Sequence, residues 1–246
     1  QNLQVRHEAR REMLYLINYA QRGPARFVSH LEVLRALERA LRRADLPLKL
    51  SQGFNPRPYL SFALPLPVGM SGRSELAVVE LSDPLAPGEI AARVAGELPE
   101  GLVLKQVRPW PKDANLPGLV DAAAYRVRPG WKPEPSFSEA NAAAADLRSR
   151  PHLFVEVRGE KRDIRPGLLE LRVRQGREAP YLLLFLSAGS RRYVRPEWVL
   201  SALSELGGWQ EDRPARVERL GLFACRGRRP VPLGALAPTL SLRPRY

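Results

Sequence analysis

Two stretches of the chain carry the same order of elements, strand–helix–strand–strand–helix–strand, and this doubling limits the fold more than any other feature. In the first, MLYLINYA (13–20) reads as a strand. Ser29-His30-Leu31-Glu32 reads as a helix start, with Ser29 capping the free N–H groups and Glu32, three residues on, reaching back. Leu31, Leu34, Leu37, Leu41 and Ala44 follow as an apolar stripe, backed by Arg35, Glu38, Arg39, Arg42 and Arg43, and Pro47 ends the helix. YLSFALPLPVG (59–69) is extended but proline-broken, which suits an edge or a bulged strand. ELAVVEL (75–81) reads as a strand and Asp83 to Leu98 as a helix, and LVLKQVRPW (102–110) closes the unit.

The second stretch gives AAAYRVR (122–128) as a strand and Ser136 to Leu147 as an Ala-rich helix. HLFVEVR (152–158) follows as a strand, with LLELRV (168–173) as its extension, and then YLLLFLS (181–187). A helix from Pro196 and the strand RVERLGLFA (216–224) complete it. The expectation is an α+β chain of two tandem ferredoxin-like (βαββαβ) domains, each with two helices over one face of an antiparallel sheet. Residues 1–12 read as a disordered lead-in, 13–110 as the first domain and 111–120 as a linker. Residues 121–225 read as the second domain and 226–246 as an Arg/Pro-rich tail without periodicity.

Charge narrows the partners. The formal net charge is +13, because 39 cations outnumber 26 carboxylates. Arginine supplies 34 of those cations and lysine five. A GC-rich codon bias accounts for arginine in place of lysine but not for the excess itself, and such a field attracts phosphate backbones. The single cysteine, Cys225, closes no internal disulfide, which fits a cytoplasmic location, and it cannot hold an iron–sulfur cluster. His7, His30 and His152 lack paired ligand spacing. No metal or cofactor is therefore expected on this chain. Nor is a membrane, since no apolar run approaches the ~20 residues that span one. GxxxxGK[ST] and GxGxxG loops are both missing from the sequence, so nucleotide-loop motifs lend no support.

The densest cluster of unusual residues is Ser51-Gln52-Gly53-Phe54-Asn55-Pro56-Arg57-Pro58. Gly53 permits positive φ, Asn55 before Pro56 favours a turn, and two prolines stiffen the exit from it. A rigid loop presenting Gln52, Phe54, Asn55 and Arg57 suits single-stranded RNA: a base stacks, its edge is hydrogen-bonded, and phosphate meets guanidinium. The alternative is a plain connector with Phe54 tucked into the core.

The run FVSHLEVLRALERALRRADLPLKLSQGFNPRPYLSFALPLPVG (27–69) resembles a radical-SAM-linked domain family of unknown function, in which phrases like SHLE, SQGFNP and SFALPLPVG recur. The resemblance continues through DAAAY (121–125) toward RVERLGLFA. It implies a ferredoxin-like fold and a domain encoded beside or fused to a radical-SAM protein with a cobalamin-type region, often near ribonuclease E/G. It also implies work on RNA modification or processing. A radical-SAM enzyme needs a CxxxCxxC motif, which one cysteine cannot supply, so the radical chemistry would belong to a separate partner.

The expected function is an RNA-binding accessory protein that presents RNA, structured or single-stranded, to that partner. Its expected contacts are Arg26, His30, Gln52, Phe54, Asn55, Arg57 and Arg73, with Arg35 and Arg39 supplying field. Arg191 and Arg192, ahead of the last helix, are candidates for phosphate. Two alternatives stand beside it. One is a metal-independent RNA endonuclease using His30 near the first helical turn. The other is a protein–protein scaffold for a radical-SAM enzyme that never touches RNA.

Overall fold

The computed structural model describes residues 13–226 and 229–235. Its first half contains β1 (Met13–Gln21), α1 (His30–Arg43), β2 (Leu60–Phe62), β3 (Ser71–Leu81), α2 (Pro87–Ala95) and β4 (Leu102–Trp110). The helix start is fixed as the sequence predicts. Glu32 N–H donates to Ser29 Oγ at 3.3 Å and Ser29 N–H to Glu32 Oε2 at 2.7 Å, which satisfies two donors that a helix end leaves free. The apolar stripe is rotated from the expected one. Val33, Leu37, Ala40 and Leu41 are buried, whereas Leu31 in the first turn is exposed.

The second half contains β5 (Ala122–Arg128), β6 (Trp131–Lys132), α3 (Phe137–Ser149), β7 (Phe154–Val157), β8 (Glu160–Asp163), β9 (Leu168–Arg174) and β10 (Tyr181–Gly189). It goes on through β11 (Arg192–Tyr193), α4 (Pro196–Gly207), β12 (Gln210–Glu211), β13 (Arg216–Arg226) and β14 (Arg229–Pro232). A second capping box, Ser136 with Glu139, opens α3.

Where the sequence predicts two antiparallel sheets, ten strands form one mixed sheet, β6 pairs with β12 and β7 with β8 apart from it, and there are four α-helices among the described residues. The fold is α+β. Its main path runs β11-β10-β5-β13-β3-β1-β4, with β2 on β3, β9 on β10 and β14 on β13. All named pairings are antiparallel except β3 with β13, where Ser71 and Gly72 meet Glu218 and Arg219 in parallel. That short seam fuses the halves.

Three expectations change. The sheet strand after α3 is β9, not HLFVEVR, because β7 pairs with β8 in a hairpin of its own. The extended segment after Tyr59 is a strand only at Leu60–Phe62, since the prolines beyond it cannot donate to a ladder. Of the expected tail, Arg229–Pro232 pairs with β13, while 227–228 and 236–246 lie outside the described residues, as does the lead-in at 1–12.

Alternation along β1 divides the core. Tyr15, Ile17 and Tyr19 join α1 and α2 in a cluster with Leu37, Leu41, Ile90 and Val94. Leu16 turns the other way, into a larger cluster with Leu76, Tyr125, Leu147, Leu184, Val199 and Leu203. Each fully buried Leu, Ile or Val contributes roughly 1.5–3 kcal/mol. No helix among the described residues is long and apolar enough to cross a membrane.

Candidate nucleic-acid interface

The loop after α1 is pinched at its neck. Ser51 N–H donates to the Arg57 carbonyl at 2.8 Å, and Arg57 N–H donates to Ser51 Oγ at 3.0 Å. Leu50 and Pro58 form a bridge just below. From the helix, Arg42 Nη2 donates to the Pro56 carbonyl at 3.1 Å, anchoring the loop to the last turn of α1. Gly53 has φ +125°, which a side chain would strain. Phe54, next in line, is fully exposed and not tucked into the core, and Gln52, Asn55 and Arg57 are exposed beside it.

The solvent face of α1 leads away from this loop. Arg35, Arg39 and Arg42 are all exposed along it. At 1.5 Å per residue, the distance from Arg42 back to His30 is roughly 18 Å. At that far end the His30 ring meets Phe62 edge-on, with centroids 4.7 Å apart. Burial, and then the positive charge of Arg219, hold the His30 imidazole below its ordinary pKa of 6.5, so it is neutral at pH 7. Arg26 lies over the exposed Phe27 ring at 4.4 Å. The predicted contact set is thus drawn out along α1: Arg26 and His30 at one end, Gln52 to Arg57 at the other, Arg35 and Arg39 between.

The remaining predicted residues lie elsewhere. Arg73, exposed on β3, lines a cleft with Arg22, Lys105 and Arg126, none of which belongs to the predicted set. Arg191 and Arg192 sit at the β10–β11 turn, where Arg192 Nη1 donates to the Pro166 carbonyl. Four strand steps separate β11 from β3, about 19 Å at 4.8 Å per step, so the structure does not bring these arginines to α1.

Sequence reasoning missed the groups beneath the site. Arg219 on β13 and Glu75 on β3 are buried as a two-pronged ion pair: Nε donates to Oε1 at 3.0 Å, and Nη2 donates to Oε2. The same guanidinium donates to the Leu64 carbonyl at 2.8 Å and the Pro65 carbonyl at 3.2 Å. Burial alone would lower the Arg219 pKa, but Glu75 more than reverses that. Tyr19 is pushed up by burial and by Glu75, and Tyr125 mainly by burial, so both phenols stay protonated. A signal was present. Glu75 shares strand parity with the apolar Ala77, Val79 and Leu81, and Arg219 shares it with Val217.

The model of a family described as uncharacterized proteins conserved in bacteria, DUF2344, matches residues 14–196. The chain belongs to DUF2344. That matched DUF2344 region takes in α1, the 51–57 loop and Glu75, and ends before Arg219. No curated protein matches the chain. Among solved structures, a crystal structure of an unknown protein from Galdieria sulphuraria is similar at 13% identity. The match covers 85% of this DUF2344 chain and 99% of that one, with a TM-score of 0.26.

Proposed function

We propose that this protein is an RNA-binding accessory factor that lays single-stranded RNA along the solvent face of α1. The observation that carries the reading is Phe54, an aromatic held wholly in water at the tip of a doubly pinned loop. Leaving such a ring exposed forgoes roughly 1.5–3 kcal/mol of burial, and a stacking base would recover part of it. Arg57, Arg42, Arg39 and Arg35 then track the phosphates.

Two finer readings belong with this one. We propose that each half is a ferredoxin-like unit; the orders β2-β3-β1-β4 and β9-β10-β5-β13, both antiparallel throughout, support it. We also propose that a radical-SAM protein is the partner to which RNA is presented. The phrases SHLE, SQGFNP and SFALPLPVG support that, together with a chain holding one cysteine, a free and half-buried Cys225.

The test is binding of a fluorescent single-stranded RNA across a salt series. Log affinity should fall with log salt by about 0.7 per phosphate neutralised. Phe54→Ala should weaken binding by roughly 1–3 kcal/mol without moving the thermal midpoint. No binding at low salt, or an unchanged Phe54→Ala, would overturn the proposal. A complex with a radical-SAM protein that survives ribonuclease, from a chain without RNA affinity, would instead establish the scaffold.

A further inference from the structure

The seam that joins the half-sheets carries a second feature, independent of α1 and the Phe54 loop. A cleft of about 380 Å³ opens there, lined by Arg22, Ser71, Gly72, Arg73, Lys105, Arg126 and Glu218. Its size falls within the roughly 300–1,000 Å³ of small-ligand sites. Residues from both halves build it: Arg22 just past β1, Ser71 and Arg73 on β3, Lys105 on β4, Arg126 on β5 and Glu218 on β13.

The charges in it are unbalanced. Four cations face one carboxylate, and that carboxylate reaches Arg126 only at 3.4 Å. The buried Nε of Arg126 has no hydrogen-bond partner, which leaves a donor of this guanidinium unused. Lys105 lies at a β-bulge, between Leu104 opposite Tyr19 and Gln106 opposite Asn18, the kind of insertion that re-aims a side chain. Four like charges drawn into one concave surface repel one another unless an anion joins them. Guanidinium forks pair with tetrahedral oxyanions in two-pronged fashion, and a lysine and a serine hydroxyl add further donors.

We propose that the seam cleft binds a phosphorylated ligand carrying at least two negative charges. The chemistry is shared by a free nucleoside polyphosphate and by the 5′-phosphorylated end of an RNA, and either would span the two half-sheets.

Calorimetric titration of the full chain at low salt tests this with pyrophosphate, ATP, and one short RNA in 5′-phosphorylated and 5′-hydroxyl forms. Pyrophosphate or ATP should bind, and Arg73→Gln/Arg126→Gln should weaken that by about tenfold or more. Phe54→Ala should leave it unchanged. If the 5′-phosphate tightens RNA binding in the wild type but not in the double variant, the ligand is an RNA end. If it gives no advantage while ATP binds, the ligand is a free nucleotide. Lys105→Gln, at an exposed position outside the buried ion pair, gives the same reading should the double variant unfold. Affinity weaker than about 1 mM for pyrophosphate, ATP and the 5′-phosphate alike, or equal affinity in wild type and variants, overturns the proposal. RNA binding that depends on Phe54 would survive that result, so the two proposals fail separately.

Discussion

Arg219 commits every nitrogen of its guanidinium to Glu75 and the carbonyls of Leu64 and Pro65, and its side chain is fully buried. The apolar phrase SFALPLPVG therefore serves the fold by its backbone as much as by its side chains. Gly72 belongs to the same lock, because a Cβ there would collide with the Glu75 carboxyl. Removing one partner of such a pair leaves a buried charge uncompensated, which costs about 3–5 kcal/mol. Glu75→Gln should lower stability by that order in urea unfolding. Glu75→Leu combined with Arg219→Met should recover much of the loss, since a well-packed apolar replacement removes both charges together. A double variant no more stable than Glu75→Gln would show that the carbonyl contacts, not the ion pair, hold the seam.

At the scale of elements, α1 organises the candidate interface, and its start was the most legible part of the sequence. A capping box needs only residues three apart, so Ser29 and Glu32 declared it locally. The 51–57 turn was legible for the same reason, through Gly53, Asn55 and two prolines. HLFVEVR misled because its alternation is as good as that of LLELRV. Pairing partners distant in sequence decided which of them entered the sheet. His30 ties α1 to pH. Burial and Arg219 depress its pKa in the fold, and a proton at a helix N-terminus is opposed by the helix dipole as well. Below pH 6.5 the unfolded chain takes up a proton that the folded chain refuses, so stability falls as pH drops from 6.5 to the lower folded value. His30→Gln should flatten that part of the stability–pH curve, and an NMR titration of His30 should give a midpoint below 6.5. A midpoint at or above 6.5 would contradict the burial of the imidazole and, after it, the influence of the Arg219 charge.

For the whole molecule, the seam matters more than the repeat. Two units joined by a linker would unfold in two steps, whereas one sheet continuous from β11 to β4, locked by a buried ion pair, should unfold in one. Calorimetry should show a single transition in the wild type and a split or broadened one in Glu75→Gln. The seam was illegible in sequence because it consists of two residue pairs in parallel register, Ser71 with Glu218 and Gly72 with Arg219. No local pattern announces a contact of that range. It also sets a timetable for birth on the ribosome. Glu75 leaves the tunnel 144 residues before its partner does. At 5–20 residues per second, that carboxylate waits roughly 7–30 s for a guanidinium. Through that interval the nascent first half must keep Glu75 in water and its edge at β3 open. The strand that closes the seam, β13, is made long after the strand it closes on.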